Sequence, residues 1–112
     1  MLPPDLLEEM RAEYLQNLRT RLTRIPSLWR EMEHDPEARK EELLRIVHSI
    51  AGSAATFGLP EVGEAAFELE EPLQALCRRA GPPEPSERGK IDAGIARLLS
   101  VSPAEAGGRA GS

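Results

Sequence analysis

The chain is poor in cysteine, histidine and aromatic residues, and each shortage excludes a class of structure or chemistry. A lone cysteine, Cys77, cannot form an intramolecular disulfide, which suits a reducing compartment. One cysteine and two histidines offer no Cys/His spacing for a metal site. Aromatic residues make up 4% of the chain, so the core must consist mainly of aliphatic side chains, which favours packed helices over a β-sandwich or barrel.

Long apolar runs and basic stripes are also missing. No segment approaches the roughly 18 apolar residues that a membrane span requires. The first residues lack the basic and apolar regions of a signal peptide. The formal net charge is −5 and the arginines are interleaved with acidic residues, so we expect neither nucleic acid nor a membrane as a partner. These absences predict a soluble, cytoplasmic protein.

Apolar residues recur at steps of three and four along most of the chain, which is the spacing of one helix face. The pattern predicts a first helix from about Pro4 to about Glu33, which Pro26 should kink or split. The apolar stripe of this helix is Leu7, Met10, Tyr14, Leu18, Leu22, Ile25, Trp29 and Met32.

Three further helices follow from the same spacing. The second begins after an N-cap at Asp35 and ends near Gly58. The third opens at Pro60 and bends at Pro72, and a shorter fourth is capped by Ser86. Their apolar positions are Leu43, Val47, Ile50, Ala54 and Phe57 in the second, Val62, Ala66, Leu69, Leu73 and Leu76 in the third, and Ile91, Ile95, Leu98 and Leu99 in the fourth.

No segment shows the alternation of a β-strand, so the predicted fold class is all-α. We expect an antiparallel four-helix bundle over residues 1–100. Residues 101–112 carry too little apolar surface to order themselves and are predicted to form a disordered tail.

One histidine occupies an unusual position in the second helix. At about 100° per residue, His48 lies roughly 145° from the mean direction of the apolar stripe, so it points away from the core. Gly52 and Ala55 follow on its face, and Leu44 and Ala51 flank it. Glycine inside a helix costs roughly 1 kcal/mol relative to alanine, so Gly52 needs an explanation. An outward imidazole beside a surface without large side chains suits a nucleophile that a partner closes over.

A plainer interpretation of this face remains open. His48 would be a solvated surface histidine, and Gly52 would be the point where another helix packs closely. Such a contact should fall on the apolar stripe, whereas Gly52 faces away from it. We therefore expect something outside the bundle to approach this face.

Residues 48–58, HSIAGSAATFG, resemble the phosphoacceptor motif of histidine-containing phosphotransfer (HPt) domains. That motif is a histidine, any residue, an aliphatic residue, lysine, glycine and then small residues. The matching positions here are His48, Ile50, Gly52, Ser53 and Ala54. The resemblance extends over roughly residues 7–100 and implies a four-helix bundle. It further implies that His48 takes a phosphoryl group from a receiver-domain aspartate and passes it to another.

The lysine of the motif is absent, because Ala51 stands in its place. In the family this lysine lies near the phosphoryl group and helps to neutralise it. Arg45, one turn earlier on the same face, is our hypothesis for the replacement cation. The alternative is an ordinary solvated arginine paired with Glu41 or Glu42.

The resemblance also implies a helper on the third helix, where the family often carries a polar residue within reach of the histidine. Glu70 falls near that position. A carboxylate that accepts a hydrogen bond from Nδ1–H would leave Nε2 free to attack. A solvent-facing glutamate is the alternative, and the same holds for Gln74 one turn on.

Under this interpretation the chain is a phosphoryl carrier and not an autonomous enzyme. It needs no cofactor of its own, because a receiver domain brings the Mg²⁺ and a lysine. The expected docking surface is formed by Leu44, Ala51 and Ala55, with receiver domains and an upstream hybrid histidine kinase as partners. We expect a monomer, since every apolar stripe is satisfied within one bundle.

Three other functions compete with this one. A histidine-kinase dimerisation helix pair usually has an acidic residue directly after its histidine and a proline further on, whereas Ser49 follows His48 here. A helical adaptor, or a degenerate HPt domain, would bind receivers without carrying phosphate, and the missing lysine is compatible with it. A metal or acid–base enzyme using His48 and His34 lacks a third ligand at helical spacing.

Overall fold

Four helices make up most of the described part of the chain, residues 3–103, in a computed structural model. The helices are α1 (Pro4–Glu31), α2 (Pro36–Ser53), α3 (Pro60–Cys77) and α4 (Pro85–Val101), and a 3-10 turn, Ala55–Phe57, joins α2 to α3. No strand occurs among these residues, so the predicted all-α bundle is confirmed. None of the helices within residues 3–103 is long and apolar enough to cross a membrane.

In each pair of neighbouring helices the start of one helix contacts the end of the other, which makes the bundle antiparallel. The α1–α2 pair is joined at Tyr14–Ser53 and Arg24–Glu42, and the α2–α3 pair at Lys40–Leu76 and His48–Glu70. The end of α3 meets the start of α4 at Arg79–Glu87, and Glu68 meets Arg97 further along. The tail predicted from residue 101 falls largely on residues 104–112, which lie outside the described residues.

Prolines and glycines mark the ends of the helices. Every helix has a proline in its first turn, where a missing N–H costs no helical hydrogen bond. Gly58 ends the turn after α2 with φ of 82°, and Gly81 follows α3 with φ of 94°, both in the left-handed region that suits glycine. The predicted stop near Gly58 is therefore confirmed.

The predicted N-cap of α2 at Asp35 is confirmed in position, although the Asp35 side chain makes no capping hydrogen bond. The predicted cap at Ser86 is wrong, and of the two effects predicted for Pro26 the split does not occur. Ser86 lies inside α4, whose first turn is held by the backbone N–H of Glu84 donating to Oε1 of Glu87 at 2.8 Å. Helix α1 runs through Pro26 without splitting, because the buried residues on both sides of it keep one phase. Helix α4 has 17 residues and is nearly as long as α2 and α3, which have 18 each.

The core contains the aliphatic residues predicted for it, with exceptions at both ends of α1 and at Leu99 of α4, which is half-buried. Leu28 is fully buried, whereas Trp29 is half-buried and its indole N–H donates to Asp92. Leu7 and Met10 are 49% and 38% exposed, although the stripe assigned both to the core. Helix α1 has 28 residues, so its first turns extend past the end of α2. The apolar stripe is therefore not fully satisfied within one bundle, and that argument for a monomer fails.

A buried lysine joins the start of α2 to the end of α3. Lys40 is 2% exposed, and its Nζ donates to the carbonyl oxygens of Leu76, Arg79 and Gly81 at 3.4, 2.6 and 3.2 Å. Glu37 lies 3.3 Å from the same nitrogen. A cation at a helix C-terminus satisfies carbonyls that have no partner in the helix and interacts favourably with the helix dipole. Lys40 thereby helps to fix the register of α2 against α3.

Small residues bring α2 and α3 together at the other end. A Cβ placed on Gly63 would lie 3.6 Å from both Ala54 Cβ and the backbone N of Ala55, and 3.7 Å from the carbonyl oxygen of Ala51. Gly63 is therefore the glycine at the close contact between α2 and α3. Within residues 3–103, and apart from its chain neighbours and the backbone of its own helix, no atom lies within 4 Å of the corresponding point on Gly52, so the interpretation of Gly52 as a helix contact is wrong.

Candidate functional site

His48 projects from α2 towards α3 with its side chain 75% exposed. Its Nδ1 lies 2.9 Å from Oε2 of Glu70 on α3. Glu70 is itself only 8% exposed, so a buried carboxylate supports an exposed imidazole. The pair spans 22 positions of sequence and depends on the register of the two helices.

This contact determines which nitrogen of His48 is available. An ionised carboxylate can only accept hydrogen bonds, so Nδ1 must carry the proton and donate it to Glu70. In a neutral imidazole the other nitrogen, Nε2, then holds a free lone pair. Because most of the side chain is open to solvent, an incoming group can approach that lone pair. The arrangement orients a nucleophile without covering it.

A groove of about 320 Å³ lies between α2 and α3 on one side of the imidazole. The residues that line this His48 groove are Glu41, Leu44, Arg45, His48, Glu70, Gln74 and Cys77. Three of the residues predicted beside His48 therefore line the same groove, namely Leu44, Arg45 and Glu70, as does Gln74. Burial raises the pKa of the Cys77 thiol above its ordinary value, which keeps it protonated near neutral pH.

Arg45 is the one permanently charged cation among the residues that line the groove. It is exposed and forms no ion pair within residues 3–103. Glu42, one of the partners considered for it, instead accepts hydrogen bonds from Arg24 at 3.0 and 3.2 Å. That bond is the main reason why the pKa of Glu42 lies below its usual value. The charge of Arg45 adds only the smallest of the effects that lower the pKa of Glu42, and its guanidinium forms no hydrogen bond within residues 3–103, so an anion that enters the groove can bind it.

The surface on the other side of His48 carries only small residues. We use the term bare surface for Ala51, Gly52 and Ala55, of which Gly52 and Ala55 are exposed and Ala51 is half-buried. The bare surface begins one turn after His48, so the imidazole lies between the groove and the bare surface. All the site residues predicted from the sequence lie along this one face of the α2–α3 pair.

One exposed aromatic residue at this face was not predicted. Phe67 is 70% exposed, the most of any large apolar side chain within residues 3–103. It lies on α3 between Gly63, which contacts Ala51, and Glu70, which contacts His48. Positions three and four apart lie on one side of a helix, so Phe67 lies on the same side of α3 as Gly63 and Glu70. Because it lies between these two residues, Phe67 is next to the bare surface. The signal was available, because Phe67 falls off the apolar stripe of α3.

A family model described as Hpt domain matches residues 9–101 of the chain, which includes all of this face. No curated protein and no solved structure is significantly similar to the chain. The match covers well over half of the sequence and agrees with the four-helix architecture and with the resemblance at residues 48–58. The chain belongs to the Hpt domain family, the histidine phosphotransfer domains of two-component signalling.

Proposed function

We propose that His48 is the phosphoacceptor and that the chain shuttles a phosphoryl group between the aspartates of receiver domains. The observation that carries this proposal is the His48–Glu70 pair, an exposed imidazole whose Nδ1 is held at 2.9 Å by a buried carboxylate. A solvated surface histidine has no need of such a partner. The chain is then a carrier that is modified covalently, and not an enzyme that acts alone.

The transfer is a displacement at phosphorus. The lone pair of Nε2 attacks the phosphorus of an aspartyl phosphate, the N–P bond forms, and the bond from phosphorus to the aspartate oxygen breaks. The aspartate leaves as a carboxylate, and the proton on Nδ1 stays hydrogen-bonded to Glu70. A second receiver aspartate reverses these steps and regenerates neutral His48.

Phosphoryl transfer depends chiefly on positioning and on neutralising the charge of the transferred group. In this proposal the receiver supplies the Mg²⁺ and a lysine, and the carrier contributes the nucleophile and one cation. Arg45 takes the part that a lysine plays in related domains, because Ala51 carries no charge. Its place in the His48 groove supports this role.

The docking surface comprises the bare surface, Leu44 and Phe67. Small residues let a receiver approach closely, and a large exposed aromatic side chain supplies apolar area beside them. The partners are receiver domains and an upstream hybrid histidine kinase, in the cytoplasm.

The direct test uses a radiolabelled phosphorylated receiver with wild type, His48→Gln and His34→Gln. His34 is an exposed histidine outside the groove, so it serves as the matched control. Wild type and His34→Gln should acquire an acid-labile, base-stable label, and His48→Gln should not. Label on His48→Gln would refute the assignment.

A second candidate is an adaptor that binds receivers without carrying phosphate, and Ala51 in place of the usual lysine is the observation that favours it. Receiver binding by wild type without any label on the chain would select this function. Binding can be followed by titrating an unphosphorylated receiver and monitoring chemical shifts around Phe67 and Ala55.

A further inference from the structure

The groove beside His48 contains a polar side chain that the proposed function does not use. Gln74 lies on α3 one turn after Glu70 and lines this groove. Its side chain is exposed, and no side-chain hydrogen bond within residues 3–103 involves its amide. A side-chain amide carries two N–H donors and one acceptor oxygen. Gln74 therefore offers two free donors to an anion in the groove.

The register of α2 against α3 places Gln74 across the groove from Arg45. The His48–Glu70 pair joins the two helices at one point, and Lys40 meets the end of α3 further along. Gln74 lies on α3 between these two contacts. It is therefore opposite the part of α2 that contains Arg45. The groove has one donor on each wall, a cation from α2 and an amide from α3.

The side chains of His48 and Gln74 lean towards each other along the groove. The Cα–Cβ bond of a helical residue tilts towards the N-terminus of its helix, and long side chains follow that direction. His48 thus leans towards the turn of α2 that precedes it, and Gln74 leans towards the turn of α3 that contains Glu70. Because the two helices are antiparallel, these directions converge.

We propose that the His48 groove holds the phosphoryl group after transfer, and that the amide of Gln74 donates a hydrogen bond to one of its oxygens. This assignment rests on the proposed role of His48. Glu70 holds Nδ1, so the phosphoryl group is bonded to the opposite edge of the ring, at Nε2. Arg45 and Gln74 bind its oxygens from the two walls, one as a cation and the other as a neutral donor. The amide on α3 provides a second contact where Ala51 provides none.

The other residues of the groove leave room for this anion. Leu44 is apolar, and burial raises the pKa of the Cys77 thiol, so neither carries a charge near neutral pH. Glu41 lies seven positions before His48, which is about 10.5 Å along the helix axis. That distance exceeds the Debye length of about 8 Å at physiological ionic strength, so salt screens the repulsion from Glu41.

Phosphoramidate, a small phosphodonor, loads the histidine without any receiver and so isolates the contact within the chain. The lone pair of Nε2 attacks its phosphorus, the P–N bond of the donor breaks, and ammonia leaves. In ¹⁵N-labelled wild type, loading should move a side-chain amide proton of Gln74 downfield, because it becomes bonded to an anion. The side-chain amide of Gln16, an exposed glutamine on α1 in a different groove, should not move. His48→Gln should show neither loading nor a shift.

The equilibrium between phosphohistidine and the aspartyl phosphate of a receiver gives the second measurement, because it does not depend on how tightly the receiver docks. Gln74→Ala should shift this equilibrium about fivefold away from phosphohistidine, as the loss of one exposed hydrogen bond does. Gln74→Lys should restore it, since an ammonium group donates to the same oxygen and adds a positive charge. Gln16→Ala is the matched control and should behave as wild type. Circular dichroism melting curves verify that each variant folds.

The outcomes separate this assignment from the role of His48. If wild type forms phosphohistidine while the Gln74 amide does not move and Gln74→Ala keeps the wild-type equilibrium, the contact with Gln74 is refuted and the phosphoacceptor role stands. If wild type takes no phosphoryl group from phosphoramidate or from a receiver, both are refuted. Slower transfer to Gln74→Ala with an unchanged equilibrium would show that Gln74 contacts the receiver instead of the phosphoryl group, which also overturns the proposal.

Discussion

Replacing Glu70 by glutamine tests whether its charge, and not only its hydrogen bond, serves phosphotransfer. Glutamine keeps an oxygen that accepts from Nδ1–H, and it is close to glutamate in size, so the 2.9 Å contact can persist. The change removes the negative charge beside a ring that becomes positive when Nε2 bonds to phosphorus. A single negative charge about 4 Å from that ring stabilises it by about 1 kcal/mol in water and about 4 kcal/mol at an effective dielectric constant of 20.

The same carboxylate repels the phosphoryl group on the far side of the ring. Two negative charges about 7 Å away oppose one positive charge about 4 Å away, and the two Coulomb energies nearly cancel. They cancel only in the isolated phosphohistidine. In the proposed transfer a receiver's Mg²⁺ and lysine would neutralise the phosphoryl group, so the attraction between Glu70 and the ring would remain. Since His48 is 75% exposed, we take the lower part of the range, about 1.4 kcal/mol, or tenfold in rate.

Glu70→Gln should therefore slow transfer from a phosphorylated receiver about tenfold and leave the lifetime of the isolated phosphohistidine nearly unchanged. Rapid-quench kinetics measure the first quantity, and decay of the purified phosphoprotein measures the second. Glu71→Gln, an exposed neighbour on α3, is the matched control. Transfer by Glu70→Gln at the wild-type rate would refute the charge argument, and a wild-type rate for Glu70→Ala as well would remove the hydrogen bond from the mechanism.

Four further changes probe other parts of the molecule. Lys40→Met should lower the free energy of unfolding by about 2–3 kcal/mol in urea titrations, because three carbonyl groups lose a charged donor; an unchanged midpoint would contradict this. Phe67→Ala should weaken receiver binding about tenfold without changing stability, as truncation of a central aromatic side chain does; equal affinity would exclude Phe67 from the interface. Arg45→Ala should shift the transfer equilibrium about fivefold away from the phosphohistidine, and less at high salt; unchanged rate, equilibrium and lifetime would leave Arg45 a solvated side chain. The hydrogen bond from Arg79 holds the pKa of Glu87 below its usual value, so Glu87 stabilises the fold above about pH 4.5 and loses this contribution as the pH falls through its folded-state pKa. Glu87→Gln should flatten the acid limb of the stability–pH profile, and an identical limb would contradict this.

Helical periodicity predicts the bundle because it reports which face of each helix is apolar. It does not report what covers that face, which is why Leu7 and Met10 follow the pattern of the core and yet are exposed. These two side chains stay exposed because the first turns of α1 extend past the end of α2, and this overhang depends on the lengths of both helices. Helix continuity through Pro26 has the same origin, since burial on both sides of the proline holds α1 in one phase.

The features of the site also differ in whether the sequence alone could predict them. The outward direction of His48 follows from positions within one helix, so the sequence is sufficient to predict it. The reach of Glu70 to Nδ1 depends on the register of α2 against α3, and no periodicity within either helix contains it; only the family resemblance indicated it. Lys40 was missed for the same reason, because the carbonyl groups that it serves belong to a helix end 36 to 41 positions away.

The residues of the bare surface also bear on how quickly a partner can come and go. Glycine and alanine have no side-chain rotamers to lose, so a receiver that covers Ala51, Gly52 and Ala55 immobilises nothing on that part of the carrier. The backbone beneath them is already held where Gly63 meets Ala54. Contact over this area then carries little entropic penalty and few directional bonds, which permits rapid dissociation as readily as rapid binding. A carrier that must release one receiver before meeting the next benefits from such a surface, and selectivity among receivers falls to the larger side chains at its edge.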